Sequence, residues 1–136
     1  MHERERALIG IVLVSHSAAL AEGLAELAGQ VAGDEVRIRP AGGMGDGGLG
    51  TDPDRIAAAI RDADTGSGVL VLVDIGSAVL SVRALLAGGD LDGIDVRLAD
   101  APLVEGAISA SVMATTGADL AAAAVAAEEA RDVGKL

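Results

Sequence analysis

Two kinds of hydrophobic spacing alternate along the chain. Ile9-Gly10-Ile11-Val12-Leu13-Val14 and Val69-Leu70-Val71-Leu72-Val73 are continuous apolar runs, the pattern of strands covered on both faces of a parallel sheet. Between and after them apolar residues return at helical spacing. Leu20, Leu24, Leu27 and Val31, with Glu22 and Glu26 on another face, predict a helix over Ala18 to Val31, with an exit near Gly29 or Gly33. Val36-Arg37-Ile38-Arg39 alternates and is halted by Pro40, which predicts a short second strand near a sheet edge. Thr51-Asp52-Pro53-Asp54 is a helix start, a capping side chain followed by Pro in the first turn, and that helix closes before Gly66. Ser77 is the expected cap of a third helix with Val79, Val82 and Leu86 along one stripe, stopped by Gly88-Gly89. Ile94, Val96 and Leu98 predict a weaker fourth strand. Pro102 opens a further helix through Leu103, Val104, Ala107, Ile108, Val112 and Met113, and Asp119 caps an Ala-rich last one reaching Arg131.

Strands alternating with helices over short connections predict an α/β fold: an open, doubly wound, mainly parallel four-stranded sheet, helices on both faces, and C-terminal helices. Nothing repeats and no linker interrupts the 136 residues, so the expectation is a single domain over 1–136 with residues 1–7 as a flexible tail. In the flavodoxin-like strand order 2-1-3-4, strands one and three are neighbours and the chain reverses direction between them. The crevice at that reversal lies at the carboxyl ends of both strands, where His16 follows the first and Asp74 the third.

Composition removes several classes of function. The formal net charge is −11, which opposes nucleic-acid binding, since that affinity comes largely from Lys and Arg neutralising phosphates. The chain has no Phe, Tyr, Trp or Cys, so the core is built of Ala, Val, Leu and Ile without disulfides, which fits a cytoplasmic address. The first apolar run is shorter than a signal-peptide core of ~7–15 residues, and no segment reaches the ~18 uninterrupted apolar residues of a membrane span. The expectation is a protein neither exported nor embedded. A metal site is not expected: Cys is absent, His2 lies in the charged tail, and the scattered carboxylates describe solvated helix faces. Met44 and Met113 are gap fillers.

His16 is the one His beyond the tail, and imidazole is the side chain suited to carry a proton or a phosphoryl group near neutral pH. Asp74, across the crevice, is the natural orienter: a carboxylate bonded to one ring nitrogen leaves the other as a nucleophile. The helix N-terminus after His16 offers N–H groups and positive partial charge to a phosphoryl group. The bland alternatives are that Ser15-His16-Ser17 merely closes a turn and that Asp74 merely caps one. Hydrolysis by Ser, His and Asp is disfavoured because no G-x-S-x-G elbow is present. Six Gly fall between Ala41 and Thr51, without the phosphate-binding pattern of a nucleotide site. This stretch is expected to be a mobile or backbone-exposing loop, either a plain flexible surface loop or a rim that orders against a partner or covers the phosphoryl group.

The segments V-L-V-S-H-S-A-A-L-A-E-G (12–23), G-T-D (50–52), V-L-V-D-I-G-S-A (71–78) and A-P-L-V-E-G-A (101–107) resemble the phosphotransfer subunit of bacterial phosphoenolpyruvate-dependent dihydroxyacetone kinase, a relative of the mannose-type enzyme IIA domain. The resemblance implies that His16 is phosphorylated by the histidine phosphocarrier protein. The group then passes to ADP, with its Mg, on the nucleotide-binding kinase subunit, while the dihydroxyacetone-binding subunit completes the reaction. No cofactor is held permanently on the chain itself. Asp74 matches the supporting carboxylate, and Thr51 and Ser77 match polar residues at the rim. Ser15, Ser17, Thr51, Gly76 and Ser77 are the candidate hydrogen-bonding positions for the phosphoryl group. The G-S-A after Asp74 favours the kinase subunit over the mannose-type domain. Fused phosphocarrier domains are absent from these residues, which implies a separate carrier, and mannose-type relatives imply a homodimer. Two alternatives stay open: an enzyme IIA domain serving a sugar transporter, and a non-catalytic α/β regulatory module.

Overall fold

The computed structural model describes residues 7–136. Its elements are β1 (Gly10–Ser15), α1 (Ala18–Ala32), β2 (Ile38–Gly42), α2 (Pro53–Ala63), β3 (Val69–Val73), α3 (Gly76–Ala87), β4 (Val96–Leu98), α4 (Leu103–Thr115) and α5 (Leu120–Glu129), followed by a 3-10 turn at Ala130–Asp132. The strands form one sheet in the order β2-β1-β3-β4, and every pair is parallel. The expected tail falls mostly outside the described residues, as does His2. Its last residue, Ala7, is held: its carbonyl accepts a hydrogen bond from Ser67 Oγ at 2.7 Å.

Alternate side chains of the two central strands feed two separate cores. Ile11, Leu13, Leu70 and Leu72 face α1, α4 and α5, while Val12, Val14, Val69, Val71 and Val73 face α2 and α3. Both strands are buried along their whole length, which is why they read as unbroken apolar runs. On the α2 side the layers meet closely: a Cβ on Gly10 would stand 2.1 Å from the Ala63 carbonyl oxygen, so only Gly fits.

Three expectations need correction. Pro40 does not halt β2: it pairs with Leu13, and the strand continues to Gly42. An edge strand tolerates a residue without an N–H because one side of its backbone needs no sheet partner. The Gly-rich stretch is a closed loop with its own bonds. Gly43 bridges to Thr51, Met44 N–H donates to the Gly48 carbonyl at 2.9 Å, and Gly47 N–H to the Met44 carbonyl at 3.0 Å. Positive φ at Gly43, Gly47 and Gly50 allows this fold-back.

The third correction concerns the helical stripes. In α1 the buried residues are Ala21, Leu24 and Ala28, whereas Leu20, Leu27 and Val31 are about half exposed. In α4, Gly106, Ala107, Ala110, Ser111 and Ala114 are buried, with Val104, Val112 and Met113 outside, and in α5 Val125 is outside. Small residues let these helices lie close to the sheet and to one another, which leaves the larger aliphatics on the outer surface of that layer.

Candidate functional site

The site forms where β1 and β3 end side by side. Val14 pairs with Val73, and the Asp74 N–H donates to the Val14 carbonyl at 3.1 Å, so the ladder runs one residue past the strand. His16 and Asp74, 58 residues apart in the chain, therefore emerge at the same level.

Four donors converge on the Asp74 carboxylate. Oδ2 accepts from Ser15 Oγ at 3.0 Å and from the His16 backbone N–H at 2.9 Å. Oδ1 accepts from the His16 ring at Nδ1, 3.0 Å away, and from the Ile75 N–H at 2.8 Å. Burial pushes this carboxyl up, but the bonds from the His16 backbone and ring, the Ile75 backbone and Ser15 outweigh it and hold the group below the ordinary carboxylate value. An ionised carboxylate can only accept, so in the neutral ring the proton sits on Nδ1. Nε2 keeps its lone pair and lies 2.9 Å from Ser77 Oγ, whose hydroxyl donates to it. The His16 side chain is 27% exposed, open enough to be reached by a reactant.

The remaining candidate positions divide into three kinds. Ser15 is buried and works behind the carboxylate: it accepts from Ser17 N–H at 3.0 Å while donating to Asp74. Ser17 caps α1 through the Leu20 N–H. The Thr51 hydroxyl is bonded not to His16 but to Ser81: its Oγ1 pairs with Ser81 Oγ at 2.7 Å. The loop nonetheless reaches the site through its backbone, since Gly50 N–H donates to the His16 carbonyl at 2.8 Å and Gly43 N–H to the Ser15 carbonyl at 3.2 Å.

Ser77 is not the cap of α3. The cap position is Ile75, which has no side-chain acceptor, and Ser77 lies in the first turn, bonded to the ring instead. A helix end without a side-chain cap therefore stands beside Nε2. Its first N–H groups, at Gly76 and Ser77, lack intrahelical partners and carry the positive end of the dipole. α1, in contrast, spends part of its N-terminal donor set on Ser17. The N-terminal donors beside Nε2 are thus those of α3. Sequence reasoning misses Ser81, because its partner is 30 residues away and nothing local marks it.

A cleft of about 620 Å³ starts at Asp74 and Gly76 and runs between α3 and the turn after β4, with Arg83 and Asp100 on its walls. His16 is not part of its lining. Among the described residues no group of three or more His, Cys, Asp or Glu is placed to hold a metal ion, and no helix is long and apolar enough to cross a membrane.

Residues 10–124 match the EIIA-man family, described as the PTS system fructose IIA component. A phosphoryl donor subunit, DhaM, of a PEP-dependent dihydroxyacetone kinase from Listeria innocua is 43% identical over 77% of this chain and 85% of its own length. The DhaM proteins of Pantoea ananatis and Escherichia coli are 44% and 41% identical over 83% of this chain, which spans 25% of their length. The crystal structure of the unknown-function protein EF1359 superposes with a TM-score of 0.80 at 36% identity, covering 95% of this chain and 97% of that one. A sigma-54 interaction domain protein from Enterococcus faecalis, at 17% identity and a TM-score of 0.64, shares the fold. With a family match across most of its length and relatives above 40% identity, the chain belongs to the EIIA-man family and, within it, to the DhaM phosphoryl donor subunits of PEP-dependent dihydroxyacetone kinase.

Proposed function

We propose that the chain is a cytoplasmic phosphohistidine carrier that accepts a phosphoryl group on His16 from the histidine phosphocarrier protein and passes it to ADP on the nucleotide-binding subunit of a dihydroxyacetone kinase. The observation that carries this reading is the polarity of the ring: Nδ1 is held at 3.0 Å by Asp74 and Nε2 is left as the open nitrogen. In the first step Nε2 attacks the phosphorus in line, the donor's N–P bond breaks, and an Nε2–P bond forms. The ring gains positive charge as it does so, and the Asp74 carboxylate on Nδ1–H offsets it. Ser77 turns its hydroxyl from the lone pair to a phosphoryl oxygen, and the N–H groups at the start of α3 receive the others. In the second step the Nε2–P bond breaks toward a β-phosphate oxygen of ADP, held with its Mg on the partner subunit. The dihydroxyacetone-binding subunit then uses the ATP.

A homodimer is supported by the outer aliphatic surface of α1, α4 and α5, an apolar area of the kind that marks protein contacts. Sedimentation at micromolar concentration tests it.

Phosphorylation of the chain by the phosphorylated carrier should give an acid-labile, alkali-stable label that is lost in His16→Ala. Adding the purified nucleotide-binding subunit and ADP should discharge it into ATP. The family's match to a fructose IIA component favours a second reading, in which the acceptor is a sugar-transport subunit. Label that forms but is not discharged by ADP and the kinase subunit supports that reading. A chain that takes no label from any donor is a regulatory module.

A further inference from the structure

The neighbouring strands β3 and β4 send their helices to opposite faces of the sheet: Ala78 and Val82 of α3 pack in one core, Ala107, Ala110 and Ala114 of α4 in the other. A crevice therefore opens outside the carboxyl ends of these two strands, a place where open α/β sheets bind ligands, and the cleft of about 620 Å³ lies there. Its walls include the half-buried aliphatic side chains of Val79, Leu86 and Leu98. Three charged residues line it, Asp74, Arg83 and Asp100. Two of them are satisfied. Asp74 accepts from four donors, and Asp100 Oδ2 is 3.3 Å from Arg131. Arg83 has no hydrogen-bond or ion-pair partner among the described residues, whereas Arg37, Arg39, Arg55, Arg131 and Lys135 each have one. Arg61 and Arg97 are also unpaired, but neither lines this cleft.

We propose that this cleft binds a small aliphatic monocarboxylate, its carboxylate on the Arg83 guanidinium and its hydrocarbon body against Val79, Leu86 and Leu98. A guanidinium presents paired N–H donors in the geometry that a carboxylate accepts. The aliphatic walls gain most from a body of the same kind, because each removes apolar surface of the other from water. Charge selects among anions. One free cation, in a cleft that also holds two carboxylates on a chain of net charge −11, balances a single negative charge and opposes a phosphate dianion. The site is separate from the phosphoryl chemistry, since His16 lies outside its lining, and it stands independently of the phosphohistidine reading.

Methyl NMR of the full chain, with hexanoate, hexanol and inorganic phosphate as probes, tests the assignment. Hexanoate should shift the Val79, Leu86 and Leu98 methyl signals saturably. Arg83→Gln should weaken its binding by about tenfold or more, the scale of a lost charge-assisted hydrogen bond, while Arg61→Gln, which removes an unpaired cation outside the cleft, should change nothing. Hexanol, with the same body and no charge, should bind about tenfold more weakly or worse, and inorganic phosphate at equal concentration should not displace hexanoate. Arg83 is exposed, so Arg83→Gln should keep the native spectrum outside the cleft and the native rate of His16 labelling by phosphoramidate, a small phosphoryl donor that leaves as ammonia. Methyl signals that do not move with hexanoate overturn the proposal, as does equal affinity for Arg83→Gln or for hexanol. Displacement by phosphate overturns the carboxylate and assigns the cleft to phosphates; slower labelling of Arg83→Gln overturns the separation by placing Arg83 in the phosphoryl site. A native chain that takes no phosphoramidate label defeats the phosphohistidine reading and leaves the hexanoate result to decide the cleft, so the two failures are distinct.

Discussion

Replacing Asp74 by Asn keeps the shape of the side chain and removes its ability to accept on both oxygens. In the native arrangement all four contacts to the carboxylate come from donors: Ser15 Oγ–H, the His16 and Ile75 N–H groups, and Nδ1–H. An amide has one acceptor oxygen and one donor nitrogen. If its oxygen faces Ser15 and the His16 N–H, the NH2 group opposes the Ile75 N–H, and Nδ1 must give up its proton to accept from it. The proton then sits on Nε2 and the nucleophilic lone pair is gone. If the amide is turned round, Nδ1–H is kept but the His16 N–H meets a donor. Either way one partly buried N–H is orphaned, a cost of about 1–3 kcal/mol. Taking about 2 kcal/mol for a chain of 136 residues, the melting temperature should fall by roughly 7 °C. Phosphorylation of His16 should slow by about 10²–10⁴-fold, the scale on which reversing a histidine tautomer acts in related dyads. Nitrogen NMR of the imidazole reads the tautomer directly, alongside calorimetry and the phosphoramidate rate. An Asp74→Asn variant that keeps the ring proton on Nδ1, the native melting temperature and a rate within about threefold of the native chain would refute the reasoning. The pH dependence adds a second check. The folded carboxyl titrates below its unfolded value, so the native state binds fewer protons in the window between the two. The stability difference between native chain and Asp74→Asn should be constant above about pH 5 and shrink as pH falls below about 4, through the folded value.

Ser77→Ala removes the hydroxyl at Nε2 and should slow transfer by about tenfold, less than the loss of a fully buried donor. If Ser81 acts by holding α3, and with it Ser77, against Thr51, Ser81→Ala should slow transfer as well but add nothing in a Ser77→Ala background, and Ser81→Thr should restore the rate. Additive losses in that cycle would remove Ser81 as a positioning residue. Gly42→Ala places a Cβ 2.5 Å from the Ser17 carbonyl oxygen and 2.9 Å from Ala21 Cβ, so chemical denaturation should show a loss of about 1–3 kcal/mol. Ser111 is fully buried with no partner for its Oγ; Ser111→Ala should leave the melting temperature unchanged or raise it, by at most about 1 kcal/mol of stability.

The sheet was legible because its central strands are covered on both faces, so β3 carries no polar residue and β1 only Ser15 at its end. Strand order was taken from the flavodoxin-like arrangement and is the one observed. The edges were less legible because there the sequence signal and the structural requirement separate. Pro40 reads as a stop, yet an edge strand has a free side to put it on. Leu20, Leu27, Val104 and Val112 read as core by their size and period, yet the close contacts between helices select the Ala and Gly residues beside them. Hydrophobic period locates a helix reliably, but which of two adjacent stripes turns inward depends on how near the neighbouring backbone comes. No local pattern reports that distance.

The same separation explains the site. His16 and Asp74 were visible because each ends a strand, and neighbouring parallel strands must bring those ends together. Ser77 was read in two roles, as the cap of α3 and, by resemblance, as a polar residue at the rim; the cap reading came from the pattern, since a Ser at the start of a helix ordinarily satisfies its own backbone. Here Ile75 occupies the cap and the hydroxyl is spent on Nε2. A helix that forgoes a side-chain cap gives up on the order of 1 kcal/mol; α4 does so as well as α3, but in α3 the uncapped donors stand beside Nε2. Their location beside Nε2, the nitrogen that carries the lone pair in the neutral ring, gives them a use under the proposed function: a phosphoryl group on Nε2 would meet those N–H groups. Local stability and site chemistry thus make opposite demands on the first turn of α3, and the residues at 75 and 77 satisfy the second at the expense of the first.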